Sequence, residues 1–206
     1  LAILAICLVT DFPKAQTNWL NQKQATLPEL RTLEKTGLID RSSLNEGLRY
    51  FLRWTKFNPK EGLLWGAIGA ISFYRGDYVM AEESYRKAIE LDPAIYSHYW
   101  DLGMIYFYLG DFQQAIAILN LSLKQLQLFP ALAERLYAEI QKLGSFENTL
   151  PPLEKLILRA QQDRQDIYLQ LADLYSRISD WPNLEKICAE AKDNTAPHPR
   201  LFYYLG

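Results

Sequence analysis

Along residues 62–122, apolar and small side chains return at helical spacing. Trp65, Ile68, Gly69 and Ser72 stand at i, i+3, i+4 and i+7, one stripe along a helix, and Ala81, Tyr85 and Ala88 form the facing stripe on the next helix. The arrangement returns in the same register with Tyr99, Leu102, Gly103 and Tyr106 against Ala115, Leu119 and Ser122. Large side chains meet small ones across each pair, which lets two helices close on each other. Between the stripes the chain reads YRGDYVMA at 74–81 and YLGDFQQA at 108–115. In each phrase a glycine, Gly76 or Gly110, suits the left-handed conformation that ends a helix, and the aspartate after it caps the free amides of the next. Pro93, after AIELD, stops the second helix of the first pair.

The corner recurs as Gly144-Ser145 and Ser179-Asp180, so that four corners follow one another at offsets of 34, 34 and 35 residues. Ser145 is a competent cap, and Ser179 is the one poor substitute for glycine. A fixed period in this range predicts a solenoid of stacked helix pairs. The residues resemble the tetratricopeptide repeat family, whose pattern W-x2-L-G-x2-Y, A-x3-F and a closing P is met by Trp65, Ile68, Gly69, Ala81, Tyr85, Ala88 and Pro93. In the second unit Gln127 replaces the proline and the pause falls at Pro130. The resemblance implies an all-α fold, a right-handed superhelical solenoid of antiparallel helix pairs.

On that reading residues 1–27 are an apolar start and linker, and 28–206 an array. Its units are 28–61 (degenerate), 62–95, 96–129, 130–163 (degenerate) and 165–198, with 199–206 opening a further unit in a longer chain. The first has a short helix over 28–38 and then Gly47, Phe51, Trp54 and Pro59 in place. The unit at 130–163 keeps Leu136, Ile140, Gly144 and Phe146 in phase, but Pro151-Pro152 delays its second helix to about Pro151. The last complete unit recovers the pattern through Tyr168, Leu171, Ala172, Tyr175, Leu184, Cys188 and Ala191.

Such stacks line a concave face with the first helix of each unit, and concave faces bind. The helix predicted over 96–109 is apolar nearly all round, so one stripe remains uncovered after the pair interface is assigned: Trp100, Met104, Phe107 and Tyr108. Phe73 and Tyr74 make the corresponding wall in the preceding unit, above a floor of Gly66, Ala67 and Ala70. These six aromatic and apolar residues are the expected partner-binding pocket. The competing expectation is that they pack on one another or on the N-terminal segment. Lys142 belongs to a polar continuation with Glu134, Ala138 and Gln141, followed by Leu169, Asp173, Ser176 and Arg177. Family members that clamp a terminal carboxylate carry Asn and Lys or Arg where this chain has Ala67, Asp101 and Arg135, and Asp101 disfavours that mode. Trp65 is expected inside its helix pair, against Tyr85.

With 49% hydrophobic and 22% charged residues the chain has ample material for a core, and a net charge of −2 without a basic run argues against nucleic acid. Cys7, Cys188, His98 and His198 form no ligand spacing, and no nucleophile, phosphate-loop or metalloprotease motif occurs. The resemblance implies a non-enzymatic protein that binds a protein or peptide, and the absence of these motifs agrees with that expectation, with no metal, cofactor or small-molecule substrate indicated. The opening LAILAICLV is nine apolar residues, roughly 13 Å of helix and under half a membrane span of about 20 residues. It reads as the end of a membrane anchor, as part of a signal segment or as an ordinary first helix. Three function classes follow: a membrane-tethered or exported interaction scaffold, the accessory repeats of a larger membrane glycan polymerase, ligase or glycosyltransferase, and a cytoplasmic adaptor.

Overall fold

The computed structural model describes residues 41–142 and 153–205, and the chain divides after Asp92 into two compact units. The described residues form helices joined by short turns, with no strand among them. The fold is all-α and tetratricopeptide-like. The first unit contains α1 (Arg41–Thr55), α2 (Gly62–Tyr74) and α3 (Tyr78–Leu91). The second contains α4 (Tyr96–Leu109), α5 (Phe112–Lys142), α6 (Leu153–Arg177), α7 (Trp181–Asn194) and α8 (Pro199–Leu205). The apolar start and the short helix expected over 28–38 lie outside the described residues, as does the corner at Gly144-Ser145.

In the first unit Leu44, Leu48 and Phe51 of α1 pack on Leu64, Ala67, Ile68 and Ile71 of α2. Ile68 and Ile71, like Tyr85 of α3, have essentially no exposure, and each such side chain contributes about 1.5–3 kcal/mol through burial. α2 and α3 meet where Gly69 faces the Tyr85 ring, which a Cβ at position 69 would approach to 2.7 Å. Glycine there is a packing requirement. Trp65 departs from its expected place between the helices. It is half-buried at the edge of the α1–α2 core, and its indole N–H donates to the Pro59 carbonyl at 3.0 Å.

Three corners share one geometry. Gly76 and Gly110 have φ of +78° and +80°, and Asp77 and Asp111 accept the amides of Met80 and Gln114 at 3.2 and 3.1 Å. The amides of Asp77 and Asp111 reach back to the carbonyls of Ser72 and Tyr106, closing the helix ends as left-handed caps do. Ser179 takes the glycine role at φ +57°, and Asp180 caps Asn183 with Pro182 in the first turn of α7.

The second unit departs from the predicted repeat. Where a break was expected at Pro130, α5 runs on for 31 residues, and α6 runs for 25. The described parts of the unit expected at 130–163, residues 130–142 and 153–163, are therefore not separate helices. They belong to α5 and α6, which lie against each other. The local physics accounts for this. ALAERLYAEIQK at 131–142 and RAQQDRQD at 159–166 consist mostly of good helix formers and contain no glycine or proline. Pro130 lacks the N–H that would bond the carbonyl four residues back, and that carbonyl, Leu126 O, instead accepts a long bond from Arg164 Nη2 at 3.4 Å.

Because a mid-helix proline still costs about 3 kcal/mol relative to alanine, Pro130→Ala is expected to raise the unfolding free energy. The Arg164 contact is forfeited, so the net gain should be about 1–3 kcal/mol in urea unfolding. A loss of stability would mean that the chain turns at Pro130, as a repeat boundary would.

Candidate functional site

α4 is a helix with a single charged residue, Asp101, and nine of its fourteen residues are buried. One side packs on α5, where Gly103 admits the Leu119 side chain so closely that a Cβ would stand 2.8 Å from it. The other side is met by α6. The Tyr96 hydroxyl donates to Asp163 Oδ2 at 2.6 Å in a buried contact, the Trp100 indole N–H donates to Gln170 Oε1 at 2.7 Å, and the Arg177 guanidinium lies 5.2 Å from the centroid of the Phe107 ring. All three contacts run in the same chain direction, so the later part of α6 stands parallel to α4.

The chemistry along this face changes from one end to the other. At the Tyr96 end it is closed. Asp163 also accepts from Arg159 Nε at 3.3 Å, the Tyr96 carbonyl accepts from Ser122 Oγ at 2.9 Å, and the Phe129 ring stands edge-on to Tyr96 at 5.3 Å. Burial, and then the neighbouring Asp163 carboxylate, push the Tyr96 hydroxyl well above the ordinary phenol range, so it remains a proton donor. At the Phe107 end the face opens. Arg177 Nε donates to Asp173 Oδ2 at 2.6 Å, with side-chain exposures of 49% and 36% for the two residues, and Tyr108 beside Phe107 is exposed. The Tyr204 hydroxyl approaches the other Asp173 oxygen at 3.5 Å, and burial followed by the Asp173 charge raises its pKa.

The expected pocket residues fall into different places. Trp100 and Met104 are only 7% and 8% exposed, so the stripe expected to lie open is in large part closed. Its lid at Trp100 is Gln170 of α6. Phe107 is half-buried beneath Arg177, between Tyr108 at 5.7 Å and Phe112 at 6.1 Å, and Tyr108 alone of the stripe is exposed. Phe73 and Tyr74 stand in the first unit. Phe73 is buried, with Tyr74 and Tyr78 around its ring, and Tyr74 packs half-buried on the α1–α2 core. Lys142 ends α5, and its side chain lies outside the described residues. Sequence reasoning placed Asp173 and Arg177 on the face but missed Tyr96, Asp163 and Gln170. An aspartate within the polar run QQDRQD gives no sign that it will be buried.

Two family models for the tetratricopeptide repeat match the chain, one over residues 62–95 and one over residues 98–125. The chain carries tetratricopeptide repeats. The first match covers α2 and α3, and the second covers most of α4 and the early part of α5. Among solved structures, this tetratricopeptide-repeat chain is similar to "Crystal structure of MamA", at 14% identity and a TM-score of 0.42, with 84% of this chain and 92% of that one covered. It is also similar to "Crystal structure of YrrB: a TPR protein with an unusual peptide-binding site", at 16% identity and a TM-score of 0.36, covering 75% and 79%. No curated protein matches it.

The burial difference within the α4 stripe makes a direct prediction. Trp100→Ala removes a buried ring and leaves Gln170 without its donor, so it should lower stability by about 3–5 kcal/mol. Tyr108→Ala should change it by no more than about 0.5 kcal/mol. Urea unfolding of both variants measures this, and a Trp100→Ala protein as stable as the parent would put the indole in solvent.

Proposed function

We propose that this tetratricopeptide-repeat chain is a protein-interaction scaffold that takes an extended peptide segment along the α4–α6 face of its second unit. The supporting observation is the rim at Phe107, Tyr108, Asp173 and Arg177. The Arg177 guanidinium is held over an aromatic ring and tied to a carboxylate, yet about half of the side chain remains exposed. A contact surface fixed in this way has little side-chain entropy left to lose when a partner arrives. Behind it, Trp100 and Met104 are rigid backing rather than direct contacts. Binding fits this face better than turnover does, because its most buried titratable pair, Tyr96 and Asp163, is locked in hydrogen bonds within the interior.

A peptide array probed with the full chain, followed by calorimetry on the best ligand, tests the proposal. Tyr108→Ala and Arg177→Ala should each weaken that ligand about tenfold or more, equivalent to about 1.4 kcal/mol, with circular dichroism unchanged. Full affinity in both variants would remove this face as the binding site.

The apolar run at residues 1–9 supports a scaffold held at a membrane. The full chain should then float with lipid vesicles, and a chain lacking residues 1–9 should not. A full chain that stays with the soluble fraction would count against tethering by this segment.

A further inference from the structure

The side of α5 turned away from α4 and α6 carries a second stripe, separate from the proposed peptide face. Ala117, Leu121, Lys124, Leu128, Ala131 and Arg135 follow one another at spacings of four, three, four, three and four, and each is exposed. Alternating steps of four and three keep a row of residues on one side of a helix, which is the seam spacing of paired helices. Leu121 and Leu128 are 42% and 61% exposed, while Ala115, Leu119 and Leu126 on the inner side have no exposure at all. The helix is thus apolar on two sides, and only one is covered by the described fold. Since α5 does not stop at Pro130, the stripe continues unbroken for about 27 Å.

Charge identifies the occupant. Lys124 and Arg135 stand within the seam, and the only carboxylate in residues 112–135 is Glu134. A second copy of the chain that lays this stripe on itself fits badly. An antiparallel pairing centred between Leu128 and Ala131 sets Lys124 of each copy against Arg135 of the other, and a parallel pairing sets each cation against itself. Like charges across a seam are the means by which helix pairs reject a partner. A lipid surface fits no better, because two cations fall short of the basic clusters of about four to eight that hold anionic membranes. The alanines leave room for larger side chains opposite. We infer that the outer stripe of α5 docks an amphipathic partner helix that sets leucine-sized side chains over Ala117 and Ala131 and carboxylates against Lys124 and Arg135.

The test uses the full chain and two labelled synthetic helices of about six turns, long enough to be helical on their own. They share leucines at the seam and differ only in carrying Glu or Lys at the two positions that meet Lys124 and Arg135. Fluorescence anisotropy should show binding of the Glu helix, weakened at least about tenfold by Leu128→Glu and unaffected by Tyr108→Ala in the peptide face. The double variant Lys124→Glu, Arg135→Glu should reverse the preference and bind the Lys helix. All of these positions are exposed, so the fold should hold by circular dichroism, and the reversal is a gain that damage could not mimic. Several outcomes would overturn the inference: equal binding of both helices, no binding of either, indifference to Leu128→Glu, a Leu128-dependent dimer in sedimentation, or stripe-dependent binding to phosphatidylserine vesicles in preference to the Glu helix.

Discussion

A hydrogen bond between side chains 67 residues apart, Tyr96 Oη to Asp163 Oδ2, fixes how the second unit is put together. A carboxylate taken out of water is costly unless its oxygens are satisfied, and Asp163, 6% exposed, has both oxygens engaged, one by Tyr96 and one by Arg159. Arg159 lies on the same helix and would accompany Asp163 anywhere. Tyr96 is the partner that exists at one place only. The bond therefore selects which helix lies beside α4, and the Trp100–Gln170 and Phe107–Arg177 contacts, each 70 residues apart, repeat the choice further along. Two of these three contacts involve side chains that sequence periodicity assigns to an open groove.

The selection reaches well beyond the pairing itself. In a regular array the helix beside α4 would begin about 34 residues later, near residue 130. Here that length of chain is spent in continuing α5 and returning along α6. The face offered to a partner is consequently built from segments two periods apart in sequence, with the buried Tyr96–Asp163 contact at one end and the half-exposed Phe107–Arg177–Asp173 rim at the other. The same diversion gives α5 its uninterrupted outer side. One architectural departure from the repeat thus underlies both proposed surfaces.

Much of this was legible in the chain, and the part that was not has definable causes. Helix pairs, their facing stripes and the Gly-Asp corners could be read because each rests on local chemistry with a fixed spacing. Ser179 shows that the corner is strong enough to impose a left-handed backbone on a residue that disfavours it. The fusion of helices at Pro130 was not legible, because the proline signals a break and the compensating contact comes from Arg164, 38 residues away. The closure of Trp100 was hidden for the same reason. A stripe can be read from one helix, but its lid depends on which distant helix arrives, and that is decided by the burial of Asp163.

Cysteine cross-linking tests the pairing most directly, in a full chain with Cys7→Ser and Cys188→Ala to remove the native thiols. Phe107→Cys combined with Arg177→Cys places thiols where α4 and α6 meet, and Phe107→Cys combined with Gln141→Cys places them one regular repeat apart. A short thiol-specific linker should join the first pair rapidly and leave the second unlinked. Rapid linkage of 107 to 141, with 107 to 177 left open, would show that the chain stacks in regular 34-residue steps and that α6 does not stand beside α4.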